Sequence, residues 1–324
     1  MKNGWRGLII SVALSALGYL AFSLWGGWHE VTAAIARVGW AGTAVLLGLS
    51  AVNYGVRFLR WQLYLDRLGT RVPWWPSLVI YVSGFALTTT PGKAGEAIRS
   101  VFLKPRGMGY GASMAAFFSE RLSDLLAVVL LATLGLSRYP NAWPLLIAGA
   151  AAVVGLLIVL SQERWLKRVE AATASGEGRL ARLAHNLSGL LIAARQCHTP
   201  RIIAAATLMS LAAWSAEAVA FHLLLDWLGL RVDFAFAVFV YAASMLAGAL
   251  SFLPGGLGGA EATMVSLLIW AGQAQAPSVA ATVVIRLTTL WFAVVLGLFA
   301  LGGLLRQRPG GLADMPAEMR SAGS

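Results

Sequence analysis

The sequence predicts an all-α polytopic membrane protein, with about six full spans and two re-entrant broken-helix hairpins in an inverted repeat. Three observations carry this. Only 12% of the 324 residues are charged and 58% are apolar, with a mean hydropathy of +0.72. A soluble chain averages about a quarter charged residues, so the composition excludes an ordinary water-exposed fold. Several apolar runs reach the roughly 20 residues needed to cross a bilayer, and two further runs are interrupted by clusters of Pro and Gly. The net charge of +11 does not point to nucleic acid, because the basic residues cap apolar runs. A single cysteine, Cys197, excludes a disulfide framework and a Cys-based zinc site.

Taken in order, the first expected span is Leu8 to Trp25, preceded by Lys2 and Arg6. It has the charged start of a signal peptide but no small-x-small cleavage site, so it is expected to be retained, with Trp25 and Trp28 at the interface. The next spans are Trp40 to Leu59, Ala112 to Leu136, Ala142 to Ser161, Ile202 to Leu228 and Val279 to Leu305. Pro76 to Leu103 has two short arms around Thr88–Thr90, Pro91, Gly92, Lys93, Ala94, Gly95 and Glu96. Phe234 to Ala271 has the same shape around Leu253, Pro254, Gly255, Gly256, Leu257, Gly258, Gly259, Ala260 and Glu261. Pro and Gly clusters break helices, and broken backbone at membrane depth survives only inside protein or beside a watery cavity. Both stretches are therefore expected to be hairpins whose tips meet inside the bundle. For the second, two complete spans stay open as an alternative.

Counting bases orients the chain. With a cytoplasmic N-terminus, sixteen Lys and Arg fall inside, against Arg37, Arg138 and Arg231 outside. Both termini are then cytoplasmic. Residues 1–308 form one membrane domain, with halves at about 8–161 and 200–305 and a basic cytoplasmic connector at 162–199. Leu180, Leu183, Leu187 and Leu190/Leu191 recur there at helical spacing, as in a segment lying on the membrane face; a plain connector is the simpler reading. Residues 309–324 read as a disordered tail.

The broken stretches match each other in spacing. Arg121-Leu122-Ser123 begins 25 residues after Glu96, and Arg286-Leu287-Thr288 begins 25 residues after Glu261. Because the hairpins enter from opposite sides, the repeat is inverted, an architecture of transporters. The alternative is a relic of duplication. Ionisable groups at membrane depth are costly and mark pathways or buried pairs. Here Arg57, Arg60, Lys93, Arg99, Arg121 and Arg286 face Glu96, Glu120, Asp124, Glu217 and Glu261. Glu120 and Asp124 share one helical face, so either a base such as Arg57, Lys93 or Arg286 is expected between them or one of them is protonated. Arg57, Lys93, Arg121 and Arg286 are the expected phosphate partners. Asn53, Trp61 and Tyr64 lie on the same face as Arg57, the rings near the boundary, and the backbone amides after Pro91 and along Gly255–Gly259 could supplement the anion site. Arg60 and Arg99 are expected to snorkel to the cytoplasmic interface. His222 stands without a second metal ligand, and Cys197 reads as an inert thiol at the membrane surface. No Walker, Gly-x-Ser-x-Gly or His-Glu-x-x-His motif occurs, so no cofactor, metal or catalytic residue is expected.

Asn53-Tyr54-x-x-Arg57-x-x-Arg60-Trp61, Pro91-Gly92-Lys93-Ala94-Gly95-Glu96, Glu120-Arg121-x-x-Asp124 and Leu253-Pro254-Gly255-Gly256-Leu257-Gly258-x-x-Glu261 together resemble the lysylphosphatidylglycerol synthase transmembrane-region family. The resemblance runs from about Leu8 to Leu305. It implies a multi-pass protein of the bacterial inner membrane that moves lipids between leaflets, without the fused soluble synthase. It marks Arg57, Lys93, Glu96, Glu120, Arg121, Asp124, Glu261 and Arg286 as site residues. The cargo expected is an anionic or polyprenyl-linked lipid, moved by alternating access. The alternatives are a membrane enzyme acting on a lipid headgroup, or a non-transporting partner of a lipid-synthesising enzyme at the cytoplasmic face.

Overall fold

The computed structural model describes residues 18, 28–90, 96–135, 143–173, 178–251 and 253–306. The expected first span, the tail and the first hairpin tip (Pro91, Gly92, Lys93, Gly95) lie outside them. Among the described residues every regular element is helical. Helix α1 spans Trp28–Arg67, α2 Trp74–Ser83, α3 Arg99–Leu103 and α4 Tyr110–Ala132. Then come α5 Trp143–Ser161, α6 Glu163–Thr173, α7 Arg179–Arg195, α8 Pro200–Trp227, α9 Phe234–Leu250 and α10 Gly259–Trp270. The last are α11 Gln275–Arg286 and α12 Phe292–Arg306, joined by a π-helical turn at Leu287–Trp291.

By length and composition, α1, α8 and the stretch Gln275–Arg306 can each cross a membrane. Leu146–Leu160 with Glu163–Thr173 passes as a fourth, bent by 70°. Helix α4 is 23 residues long but carries Glu120, Arg121 and Asp124 at its middle. The arms α9 and α10 are 17 and 12 residues long, the first at the lower limit for a full span and the second below it. One boundary moves: helix begins at Trp28, not Trp40, and breaks at Gly39, whose φ of 63° and ψ of −175° suit only glycine. Arg37 before the break donates to the Leu228 carbonyl at the end of α8, 3.0 Å away.

Small and polar residues let the central helices approach closely, the usual device where lipid removes the hydrophobic drive between helices. Helix α1 lies on α8, with Ser50 and Asn53 of α1 and Ala206, Ser210, Ala213 and Ala218 of α8 all buried. In α12, Gly297 meets the first hairpin where α2 runs into a 3-10 turn at Gly84–Leu87, and a Cβ there would overlap the backbone of Phe85 and Ala86. The second hairpin closes on itself at Gly248 and Gly256, whose backbones touch.

The two hairpins also touch each other. Gly255, at φ 64°, sits so near Thr89 that an added Cβ would stand 3.3 Å from the Thr89 Cα. The second tip thus reaches the chain just before the first tip, whose own residues lie outside those described.

Candidate functional site

Around the first hairpin, one base more than the acids is packed into a single network. Asp124 of α4 receives Arg60 at 2.6 Å, Arg57 at 3.3 Å and Arg121 at 3.4 Å, and the Trp214 indole N–H at 3.0 Å. Glu120, one turn earlier, receives Arg99 at 2.9 Å and lies 3.8 Å from Arg60. Glu96 receives Arg99 at 3.0 Å, Arg121 at 3.5 Å and the Thr88 hydroxyl at 3.3 Å. Four guanidinium groups thus share three carboxylates. Multiple charge-assisted bonds are what allow such charges to stay buried.

The second hairpin is held more simply. Arg286 of α11 pairs with Glu261 at 2.6 Å and donates to the Gly255 carbonyl at 3.2 Å. The other Glu261 oxygen accepts from the Gly258 N–H at 2.6 Å, so a carboxylate already occupies the N-terminus of α10, where free amides were expected. In both halves the hairpin glutamate meets the arginine 25 residues further on. The matched spacing therefore ends in a matched contact.

Between the two clusters lies a cavity of about 440 Å³, its open mouth included. Arg57, Phe85, Thr88 and Glu96 line it from the first half, and Trp214, Glu217, Tyr241, Met245 and Arg286 from the second. Tyr241 donates to Glu217 at 2.6 Å. Tyr54 donates to the Thr289 carbonyl in the π-helical turn, a distortion frequent at functional sites. The Arg57 Nε has no hydrogen-bond partner among the described residues.

Of the candidate residues, Arg57, Glu96 and Arg286 reach the cavity wall. Glu120, Asp124 and Arg121 stand behind it in the network, and Glu261 fixes the second tip. Asn53 turns elsewhere: its amide donates to the Ala213 carbonyl at 2.8 Å and ties α1 to α8. Of the tip glycines, Gly255 and Gly258 take part through backbone groups, while Pro91, Gly92, Lys93 and Gly95 lie outside the described residues. Glu217, noted as an acid at membrane depth, and Tyr241 were not marked as site residues; an acid in the middle of the apolar α8 was the available signal.

Several expectations are corrected. Arg60 and Arg99 do not snorkel: both are buried, because Glu120 and Asp124 need bases and these two supply them. Arg60 is also the base that reaches both carboxylates, in place of Arg57, Lys93 or Arg286 alone. Arg99 further donates to the Tyr81 carbonyl at 3.1 Å and lies 4.3 Å from its ring centroid. Trp61 and Tyr64 are buried in the protein, with Tyr64 donating to Ser123 at 3.1 Å. Cys197 is buried with Tyr64 and Ile202. His222 lies 3.5 Å from Asp226 and packs edge-on against Phe234.

A family model for the lysylphosphatidylglycerol synthase TM region matches residues 8–297. The chain belongs to this family. It is 23% identical over 305 residues to a UPF0104 membrane protein of Methanothermobacter thermautotrophicus, covering 88% of this chain and 90% of the relative. It is 24% identical over 268 residues to a UPF0104 membrane protein of Pyrococcus horikoshii, covering 74% and 80% respectively. The protein is a multi-pass membrane protein of helical fold.

Proposed function

We propose that this member of the lysylphosphatidylglycerol synthase TM-region family moves a lipid between the leaflets of the cytoplasmic membrane. The phosphate-bearing headgroup passes through the cavity between the hairpins while the tails stay in hydrocarbon. This arrangement avoids most of the cost of carrying charge through the apolar core. The observation that carries the reading is the shared wall: Arg57 and Glu96 come from one half, Glu217 and Arg286 from the other. A site built at the junction of two repeats is the arrangement that alternating access uses. Six spans and two hairpins entering from opposite sides, with both termini cytoplasmic, complete the proposal. Arg57 and Arg286 receive the phosphate by their planar forks. The lipid leaves with its mass unchanged, so the activity is transport and not headgroup chemistry.

The test is reconstitution of the purified protein into liposomes with trace phospholipids fluorescently labelled on the headgroup. Dithionite then reports how fast label exchanges between leaflets. Exchange above protein-free liposomes is expected, with loss in Ala293→Phe, which fills the cavity from α12, and in Arg57→Gln. Thermal unfolding of each variant separates lost transport from lost fold. Exchange that persists in both folded variants overturns the cavity route, and a lipid product of new mass overturns transport.

A further inference from the structure

We infer that the connector helix α7 is seated in the cytoplasmic lipid interface, with Leu180, Leu183 and Leu187 inserted among anionic lipids. These side chains are 82%, 64% and 53% exposed, and their spacing of three and four residues places them on one stripe. The same stripe continues through Leu190, Leu191 and Ala194, and there it is covered. Leu191 and Ala194 pack with Ala115 and Leu122 of α4, Val153 and Leu160 of α5, and Leu166 of α6.

One face of α7 is therefore directed at the membrane domain by its C-terminal half and overhangs that domain along its N-terminal half. The overhang from Leu180 to Leu187 is about 10 Å at the helical rise of about 1.5 Å per residue. The opposite face is occupied by α6, where the His185 Nδ1 lies 3.1 Å from the Glu170 carbonyl oxygen. With α5 crossing the bilayer, the 70° bend into α6 lays the α6–α7 pair close to the membrane plane. An apolar stripe in that plane, beside the domain, faces lipid.

Charge selects the kind of lipid. Residues 162–199 carry six Lys and Arg against three Glu, and Glu163 is taken up by Lys167 at 2.7 Å and Arg195 at 3.0 Å. The excess of bases beside a leucine stripe complements an anionic leaflet. A protein docked on the stripe would need the leucines but not the surplus charge.

The experiment uses the full-length protein carrying Leu183→Cys or, separately, Ala172→Cys on an exposed part of α6. Each is labelled with an NBD maleimide and reconstituted in vesicles of phosphatidylglycerol and phosphatidylcholine containing doxyl-labelled lipid. Background labelling is low because Cys197 is buried and burial pushes its thiol up to about 11. At position 183, NBD emission is expected to be blue-shifted and quenched by doxyl lipid about twofold or more beyond position 172, for an apolar face seated roughly 5–10 Å deep. The difference should grow with the phosphatidylglycerol fraction and shrink in high salt. Leu180→Cys repeats the reading at a second position. Water-like emission without quenching in every vesicle overturns the inference. Protection of position 183 in native membranes but not in pure lipid vesicles also overturns it, in favour of a protein on this surface. Transport plays no part in these readouts, so they stand apart from the function proposed above.

Discussion

The two hairpins share a plan and differ in how they are secured. At the first, Glu96, Glu120 and Asp124 are distributed over Arg57, Arg60, Arg99 and Arg121, so each carboxylate has more than one base. At the second, one pair, Arg286 and Glu261, is completed by backbone groups of Gly255 and Gly258. Among the described residues, several bases on each carboxylate in the first half, against Arg286 alone as the base on Glu261 in the second, imply different responses to damage. In the first half the answer depends on which member is removed; in the second, either partner is decisive.

Substitutions can break or sharpen that contrast. The largest effect is expected from Asp124→Ala, which strips three arginines and the Trp214 N–H of a shared acceptor. Removing one side of a buried pair costs about 3–5 kcal/mol, and this change should fall at about 5, read by thermal unfolding in nanodiscs. Arg286→Ala should cost about 3 kcal/mol by the same measurement, since Glu261 keeps its bond from Gly258. Gly297→Ala forces a methyl into the backbone of the first hairpin and should cost about 2 kcal/mol; Gly303→Ala in the same helix meets open space and should cost little. Arg121→Ala should cost only about 1 kcal/mol, because its side chain is 23% exposed and Glu96 and Asp124 keep other bases. Equal losses from Arg121→Ala and Arg286→Ala would erase the proposed difference between the halves.

The smallest effect lies in the stretch between the halves. The hydrogen bond from Lys167, with the charge of Arg195, holds the Glu163 carboxyl below its usual range. A depressed carboxylate supports the fold above its unfolded pKa of about 4.3 and loses that support as pH falls through the folded value. NMR titration of Glu163 should show the lowered midpoint, and Lys167→Gln should return it toward the ordinary glutamate value.

The helical class, the two broken stretches and the 25-residue spacing were legible because each is a local pattern of composition or punctuation. The pairing inside the first network was not. Glu120 and Asp124, four residues apart on one helix, announced that bases must come to them. Which bases came depended on how α1, α3 and α4 pack, and that is a long-range property. Arg60 and Arg99 were misjudged because a long cationic stem beside an apolar run reads equally well as snorkelling or as buried pairing. Glu217 went unplaced for a related reason. Its partner Tyr241 lies on α9, and nothing in the spacing joins them.

Where the second hairpin meets the first, a Gly255 Cβ would stand 3.3 Å from the Thr89 Cα and 3.5 Å from its Cγ2. A seam with glycine on one side and a short β-branched threonine on the other has few rotamers to relax by degrees. It is shut or parted, and parting it means displacing whole arms. In the proposed transport cycle, discrimination between cargoes then falls to the cavity walls, while the seam sets only whether passage happens at all. Such a constriction behaves as a latch and not as a sieve.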